Sequence, residues 1–170
     1  MRYETHVAGG LMCGALLTQV ITSKVGATPQ ILPVIIIGSS ALGSLFPDID
    51  HRGSYIGRRA KITSAIISDL FGHRGITHSP LAMLVFTTVL YLVSSFFTSS
   101  SLVLMGFIGF YVGIFSHILL DSLTKGGVPL LYPFKKSKIS FTKAKTGGMF
   151  ETAIFAVLFL SLLFWGKKNL

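Results

Sequence analysis

Residues 102–121 read LVLMGFIGFYVGIFSHILLD, and this stretch decides what kind of protein the chain is. The nineteen residues 102–120 contain no Asp, Glu, Lys or Arg. As an α-helix they rise about 28 Å, close to the ~30 Å thickness of a bilayer's hydrocarbon core. The stretch therefore predicts a membrane-spanning helix with His117 and Asp121 at its carboxyl end.

Four more apolar runs approach the same length, and the composition agrees with them. The 170 residues are 51% hydrophobic and 12% charged, whereas a soluble domain carries about 25% charged residues. This composition excludes disordered and ordinary cytosolic proteins. We predict a single domain over residues 1–170, an all-α, polytopic membrane helical bundle. The five predicted transmembrane helices are residues 7–22, 30–46, 80–97, 102–120 and 149–165.

A shorter apolar segment, residues 62–71, lies between the second and third predicted spans. Ten residues are too few to cross a bilayer, and Asp69 interrupts them. We therefore predict one short interfacial helix that lies along the membrane surface.

Positive charge is distributed unevenly along the chain. There are 15 Lys and Arg residues against 6 Asp and Glu, a formal net charge of +9. Twelve of the fifteen cations lie at residue 2, in residues 47–79 or in residues 121–148, which the five spans put on one side of the membrane. Because cytoplasmic loops collect Lys and Arg, we predict a cytoplasmic N-terminus and a C-terminus outside.

Some of these basic residues suggest a partner: Arg58, Arg59, Lys61 and the cluster from Lys135 to Lys145. Near an anionic leaflet each is worth about 1 kcal/mol, so we expect them to contact membrane lipids. No aromatic side chains interleave with them as a stacking platform would require, and no nucleic acid is expected as a partner. No motif predicts a protein partner or an oligomeric state.

Ionisable side chains gather at the predicted cytoplasmic ends of the helices. A single histidine at a helix end is more often an interfacial residue than a ligand. Five histidines of five on one side are harder to explain in that way, because ionisable groups at membrane depth are costly and usually functional. The residues concerned are His6, Asp48, Asp50, His51, His73, His78, His117, Asp121 and Glu151.

The spacing of these residues suits a divalent metal ion. Residues 117–121 form a His-x3-Asp pair, which a helix projects from one face about one turn apart. Residues 48–51 read Asp-x-Asp-His, and residues 73–78 hold two histidines around a flexible glycine. Mixed imidazole and carboxylate ligation suits Zn²⁺, with Mn²⁺ or Fe²⁺ as alternatives. There are more than four candidate ligands. Either one ion is surrounded by many outer-shell residues, or several ions share bridging carboxylates.

At these residues the chain resembles the YdjM family of bacterial inner-membrane proteins, described as metal-dependent hydrolases. The matching motifs are Thr5-His6, residues 47–51, residues 73–79, and Ser116-His117 with Asp121, Thr124, Gly127 and residues 131–134. The resemblance implies a location in the bacterial inner membrane. By analogy the family is distantly similar to the zinc-dependent phospholipase C and single-strand nuclease fold. That analogy implies hydrolysis of an anionic, phosphate-containing substrate such as a phospholipid.

Metal-assisted hydrolysis assigns roles to the candidates. Arg74 would clamp a substrate phosphate through its planar guanidinium, although it would equally serve as one more cytoplasmic charge. Asp48 and Asp50 would act as ligands, as bridging groups or, one of them, as the general base. The preferred ligands are His51, His73, His78, His117 and Asp121, with His6 and Glu151 as second choices for the inner or outer shell.

Two other functions compete with hydrolysis. A metal-ion transporter would carry its ligands near the bilayer midplane on interrupted helices, whereas these candidates lie towards one side. A regulatory adaptor would hold a purely structural metal, closed off from solvent. Metal content, turnover of phosphoesters and ion flux into vesicles separate the three.

Overall fold

The computed structural model describes residues 1–26 and 28–169, and within them the chain is almost entirely helical. Two 3₁₀ turns, Phe46–Asp50 and Ile76–His78, lie between helices. The described residues contain no β-strand, and an isolated bridge joins Val128 to Ile139. The predicted all-α fold is confirmed. The helices are α1 (Tyr3–Val25), α2 (Leu32–Leu45), α3 (Lys61–Phe71), α4 (Pro80–Ser95), α5 (Ser101–Ser122) and α6 (Met149–Asn169).

Within the described residues, four helices are long and apolar enough to cross a membrane, against five predicted spans. They are α1, α5, α6 and α2 together with the 3₁₀ turn that continues it to Asp50. The third predicted span is α4, an apolar helix of 16 residues that ends at Ser95 instead of residue 97. Its length is about 24 Å, somewhat less than the hydrocarbon core.

The short segment between α2 and α4 forms a helix, as predicted. Helix α3 is amphipathic: Ile62, Ile66 and Leu70 recur every four residues and are all more than half exposed. Ser64 on the opposite side is buried. An apolar stripe left uncovered by the protein suits contact with a membrane surface.

Local sequence explains where several helices begin and end. The Ser79 hydroxyl accepts a hydrogen bond from the Ala82 amide, and Pro80 occupies the first helical position of α4, where its missing N–H costs nothing. Helix α1 ends at Gly26, which has a φ of 77°, a conformation that favours glycine.

Small residues bring the central helices into close contact. Helix α2 packs against both α1 and α5. The Ser40 hydroxyl of α2 donates a hydrogen bond of 2.7 Å to the Gly10 carbonyl of α1. A Cβ atom added at Gly113 of α5 would lie 1.9 Å from the Ser40 carbonyl oxygen, and one added at Gly43 would lie 2.0 Å from the Phe110 carbonyl oxygen. Such close backbone contacts are typical of helix packing in membranes. There is no hydrophobic driving force between helices in lipid, and small residues allow the van der Waals packing that holds the helices together.

We expect Gly113→Ala to lower the thermal stability of the detergent-solubilised protein strongly. The new methyl group meets backbone atoms that cannot rotate away, so the cost should reach at least the ~1–3 kcal/mol typical of overpacking. Gly38→Ala is the matched control, because a Cβ there meets no atom within 4 Å. Equal melting temperatures for the two variants would contradict the proposed α2–α5 contact.

Candidate metal centre

The candidate metal centre lies at one end of the bundle, where the ends of several helices meet. His117 and Asp121 belong to the last turns of α5, and His6 to the first turn of α1. His78 lies in the 3₁₀ turn before α4, and Asp48 in the 3₁₀ turn after α2. The first four are at most 1% exposed, and the Asp48 side chain is 19% exposed. The fold therefore buries ionisable groups that are distant in sequence against one another.

Hydrogen bonds determine which ring nitrogen of two histidines carries the proton. His78 Nδ1 lies 3.1 Å from the Asp50 carboxylate, and His117 Nδ1 lies 2.7 Å from the Ser44 carbonyl oxygen. A carboxylate and a carbonyl can only accept, so both Nδ1 atoms must donate. In the neutral imidazoles each Nε2 then carries a free lone pair, the form that binds a metal ion.

The two free nitrogens face each other with carboxylate oxygens beside them. The Nε2 atoms of His78 and His117 are 3.3 Å apart. Asp48 Oδ1 lies 3.9 and 3.7 Å from them, and Asp121 Oδ2 lies 3.7 and 3.8 Å from them. Ligand atoms about 2.0–2.2 Å from a tetrahedral zinc ion are about 3.3–3.6 Å apart. Asp48, His78 and His117 thus fit a divalent ion, which would also relieve the repulsion between the lone pairs.

His6 lies on the other side of His117. The two rings stack with centroids 3.6 Å apart, and His6 Nε2 is 3.3 Å from Asp121 Oδ1. His6 is completely buried, yet neither ring nitrogen makes a hydrogen bond of acceptable geometry. In the part of the chain that the structure describes, two groups could hold an ion, His6–His117–Asp121 and Asp48–His78–His117. Because both use His117, whose Nδ1 is bonded to a carbonyl, one ion at a time is the simpler interpretation.

Asp50 lies behind His78 rather than beside the facing nitrogens. Its Oδ1 accepts from His73 Nδ1 at 3.0 Å, and its Oδ2 accepts from the Arg74 amide at 2.9 Å, the Thr77 hydroxyl and His78 Nδ1. The carboxylate is completely buried and fully engaged. This geometry is that of an outer-shell group that orients a histidine, not of the ligand, bridge or base expected from the sequence.

Arg74 neutralises part of the site. Its guanidinium is 11% exposed and pairs with Asp121 Oδ2 at 2.6 Å, while Nη1 donates to the Thr124 hydroxyl and the Gly127 carbonyl. Its Nε is buried without a hydrogen-bond partner. The backbone has a φ of 58°, unusual for a residue other than glycine, and the Asp50 bond to its amide holds that conformation.

The structure separates His51 and His73 from the facing nitrogens, although both stay nearby. Their ring centroids are 4.8 Å apart, and the His73 centroid is 5.9 Å from that of His78. His51 is exposed, and its Nδ1 accepts from the Gly53 amide. Neither residue belongs to a group that could hold a metal ion.

Glu151 lies outside the cluster as well. Its carboxylate accepts from the Thr5 hydroxyl at 3.0 Å, the Gly147 amide at 2.6 Å and the Arg2 amide. These bonds connect the start of α6 to the start of α1. The structure thus gives Glu151 a part in helix packing, instead of the ligand or outer-shell position expected from the sequence.

An open cleft of about 270 Å³ leads from the surface to the cluster. His51, His73 and Arg74 line it, and so do Tyr3 and Tyr55, whose rings stack with centroids 4.9 Å apart. Asp48 and Asp121 also reach this cleft. A small molecule could therefore approach the cluster from solvent or from the membrane surface.

Sequence reasoning missed three groups at the site. The Ser44 carbonyl carries no signal in the sequence, and Thr77 stood within the matching motif at residues 73–79 without an assigned role, because such hydrogen bonds have no motif of their own. The Met1 amino group forms a buried ion pair with Asp121 Oδ1, which only the folded chain reveals.

Comparison with known proteins gives a consistent result. The family model described as YdjM inner membrane protein matches residues 1–170. The inner membrane protein YdjM of Escherichia coli is 35% identical over 158 residues, covering 86% of this chain and 78% of that protein, and the Shigella flexneri protein gives the same values. Uncharacterized protein YvsG of Bacillus subtilis is 35% identical over 133 residues, covering 78% of this chain and 79% of its own. No solved structure matches.

Proposed function

Since the chain belongs to the YdjM family of inner membrane proteins, we propose that it is a membrane-embedded, metal-dependent hydrolase. Its substrate would be a phosphoester, in a phospholipid or a related membrane-associated molecule. One observation carries the proposal: two imidazole nitrogens 3.3 Å apart lie beside Asp48 and Asp121, and these two carboxylates also line an open cleft. A purely structural metal would need no such access.

His117 would hold the ion together with either Asp48 and His78 or His6 and Asp121. Zn²⁺ is the preferred metal because it accepts nitrogen and oxygen donors in this geometry, and Mn²⁺ and Fe²⁺ share the donor preference. Such an ion would polarise a phosphoryl oxygen and lower the pKa of a water towards about 7.

Positive charge in the cleft supports an anionic substrate. The Arg74 side chain lines the cleft, with its guanidinium paired to Asp121. At the nearby surface, Lys138 Nζ lies 3.4 Å from the His73 carbonyl oxygen. A phosphate that enters would meet these two basic side chains, whose charge favours an anion.

Helix α3 supports a substrate that resides in the membrane. Its exposed apolar stripe begins directly after Arg58, Arg59 and Lys61. This order of basic and apolar residues is typical of a helix that rests among anionic headgroups. The positive-inside asymmetry further favours the inner leaflet, with the N-terminus in the cytoplasm, the C-terminus outside and the cleft at the cytoplasmic face.

The test is to purify the protein in detergent and measure metal content and turnover. We expect about one equivalent of zinc, and hydrolysis of phospholipid vesicles or of 4-nitrophenyl phosphoesters that a chelator abolishes and zinc restores. Absence of stoichiometric metal under metal-replete conditions would overturn the proposal. Tightly bound metal without turnover would favour an adaptor, and metal flux into vesicles would favour a transporter.

A further inference from the structure

His73 and Asp50 form a pair of the kind that moves protons in hydrolases. His73 Nδ1 lies 3.0 Å from Asp50 Oδ1, and the carboxylate can only accept, so Nδ1 donates. The other ring nitrogen, Nε2, makes no hydrogen bond to the described residues, and the ring lines the cleft. A buried carboxylate thus holds the orientation of an imidazole that is itself 44% exposed.

One carboxylate serves two histidines in different ways. Asp50 Oδ1 orients His73, and Oδ2 orients His78. His78 is completely buried and presents its Nε2 to His117 and to Asp121. His73 belongs to neither group that could hold an ion, so its Nε2 is available to a substrate. The geometry separates a metal-facing imidazole from a cleft-facing one.

We propose that His73 is the general acid of the hydrolysis, a role that rests on the function proposed above. The oxygen of a water forms the new bond to phosphorus, and the bond from phosphorus to the ester oxygen breaks with its electron pair passing to that oxygen. His73 Nε2–H donates its proton to the leaving oxygen, which departs as an alcohol. The proton lost by the water passes to solvent, and solvent reprotonates the exposed His73.

The chemistry of a lipid substrate requires such a donor. An alkoxide is a poor leaving group, and a positioned acid that protonates it contributes about 10²–10⁴-fold in rate. The Asp50 carboxylate fixes the ring so that Nδ1–H points away from substrate. Asp50 is therefore a positioning residue, while His73 would touch the substrate.

His73→Ala tests the proposal with two substrates and one binding measurement. The substrates are a phospholipid that the wild type cleaves and the 4-nitrophenyl ester of the same phosphoryl class. We expect the variant to lose about 10²–10⁴-fold on the lipid, but less than about 10-fold on the nitrophenyl ester, whose leaving group needs no proton. Metal content should equal that of the wild type, which also shows that the variant is folded.

Asp69→Asn is the control, because Asp69 is 69% exposed and does not line the cleft. It should cleave both substrates like the wild type. Equal losses on the two substrates in His73→Ala, wild-type turnover of the lipid, or loss of metal would each overturn the role of His73. A wild type without any metal-dependent turnover would overturn the proposed function itself, and with it the need for an acid.

Discussion

His117→Ala should abolish stoichiometric metal binding. Both groups that could hold an ion contain His117, so one substitution removes a nitrogen ligand from each. Outer-shell substitutions alone weaken metal binding by about 10–100-fold, and we expect the loss of this ligand to exceed about 100-fold. Metal content after dialysis against a buffered zinc series, with the protein kept in detergent, measures the change.

Two further variants separate loss of a ligand from loss of the fold. Asp48→Asn keeps the size of a partly exposed side chain and removes its charge, so it should fold and bind metal more weakly than the wild type. His51→Ala should bind metal normally, because His51 belongs to neither group. Full metal content in His117→Ala would refute the centre, as would metal loss confined to His51→Ala.

Asp50→Ala should have the second largest effect, on stability and metal affinity together. The buried carboxylate accepts hydrogen bonds from four donors, which lose this acceptor when alanine replaces Asp50. The donors belong to His73, Arg74, Thr77 and His78. Removing one partner from a buried charged network costs about 3–5 kcal/mol. The freed His78 ring should also lower zinc affinity by about 10–100-fold. Thermal unfolding in detergent and zinc titration measure the two effects.

Asp50→Asn distinguishes orientation from packing. Asparagine keeps the shape but replaces one acceptor oxygen with an amide that donates, so His78 or His73 must lose its partner. We expect Asp50→Asn to have a melting temperature near that of the wild type and above that of Asp50→Ala. It should nevertheless bind zinc more weakly or hydrolyse lipid more slowly than the wild type. Asp69→Asn is the surface control, since Asp69 is 69% exposed and pairs only with exposed Arg52 among the described residues. Wild-type behaviour of Asp50→Asn in every measurement would contradict the orienting role.

The helices were predictable because apolar length is a local property. The run at residues 102–120 becomes α5 with one or two extra residues at each end, and the segment at residues 62–71 becomes α3. Helix α4 is shorter than predicted, because Phe96 and Phe97 continue the apolar run without continuing the helix. Hydropathy reports the free energy of transferring side chains into lipid, whereas backbone hydrogen bonds decide where a helix ends.

The sequence could predict which ionisable residues gather at the site, but not how their side chains are arranged there. Ionisable side chains are rare in an apolar chain, so their recurrence at helix ends already indicates a common location. Their separate roles depend on hydrogen bonds between segments. The sequence alone treats Asp50 and Asp48 alike, yet one lies behind His78 and the other beside the facing nitrogens.

Composition and the lengths of apolar runs thus determine a helical membrane protein whose polar groups lie towards one end. In lipid, the backbone N–H and C=O groups must be hydrogen-bonded within the protein, and few charged side chains are tolerated. Tertiary structure alone decides which imidazoles belong to the groups that could hold a metal, which imidazole lines the cleft and why Glu151 lies outside both groups. These outcomes depend on which acceptor meets each Nδ1, and contacts such as Ser44 with His117 form only when distant helices pack.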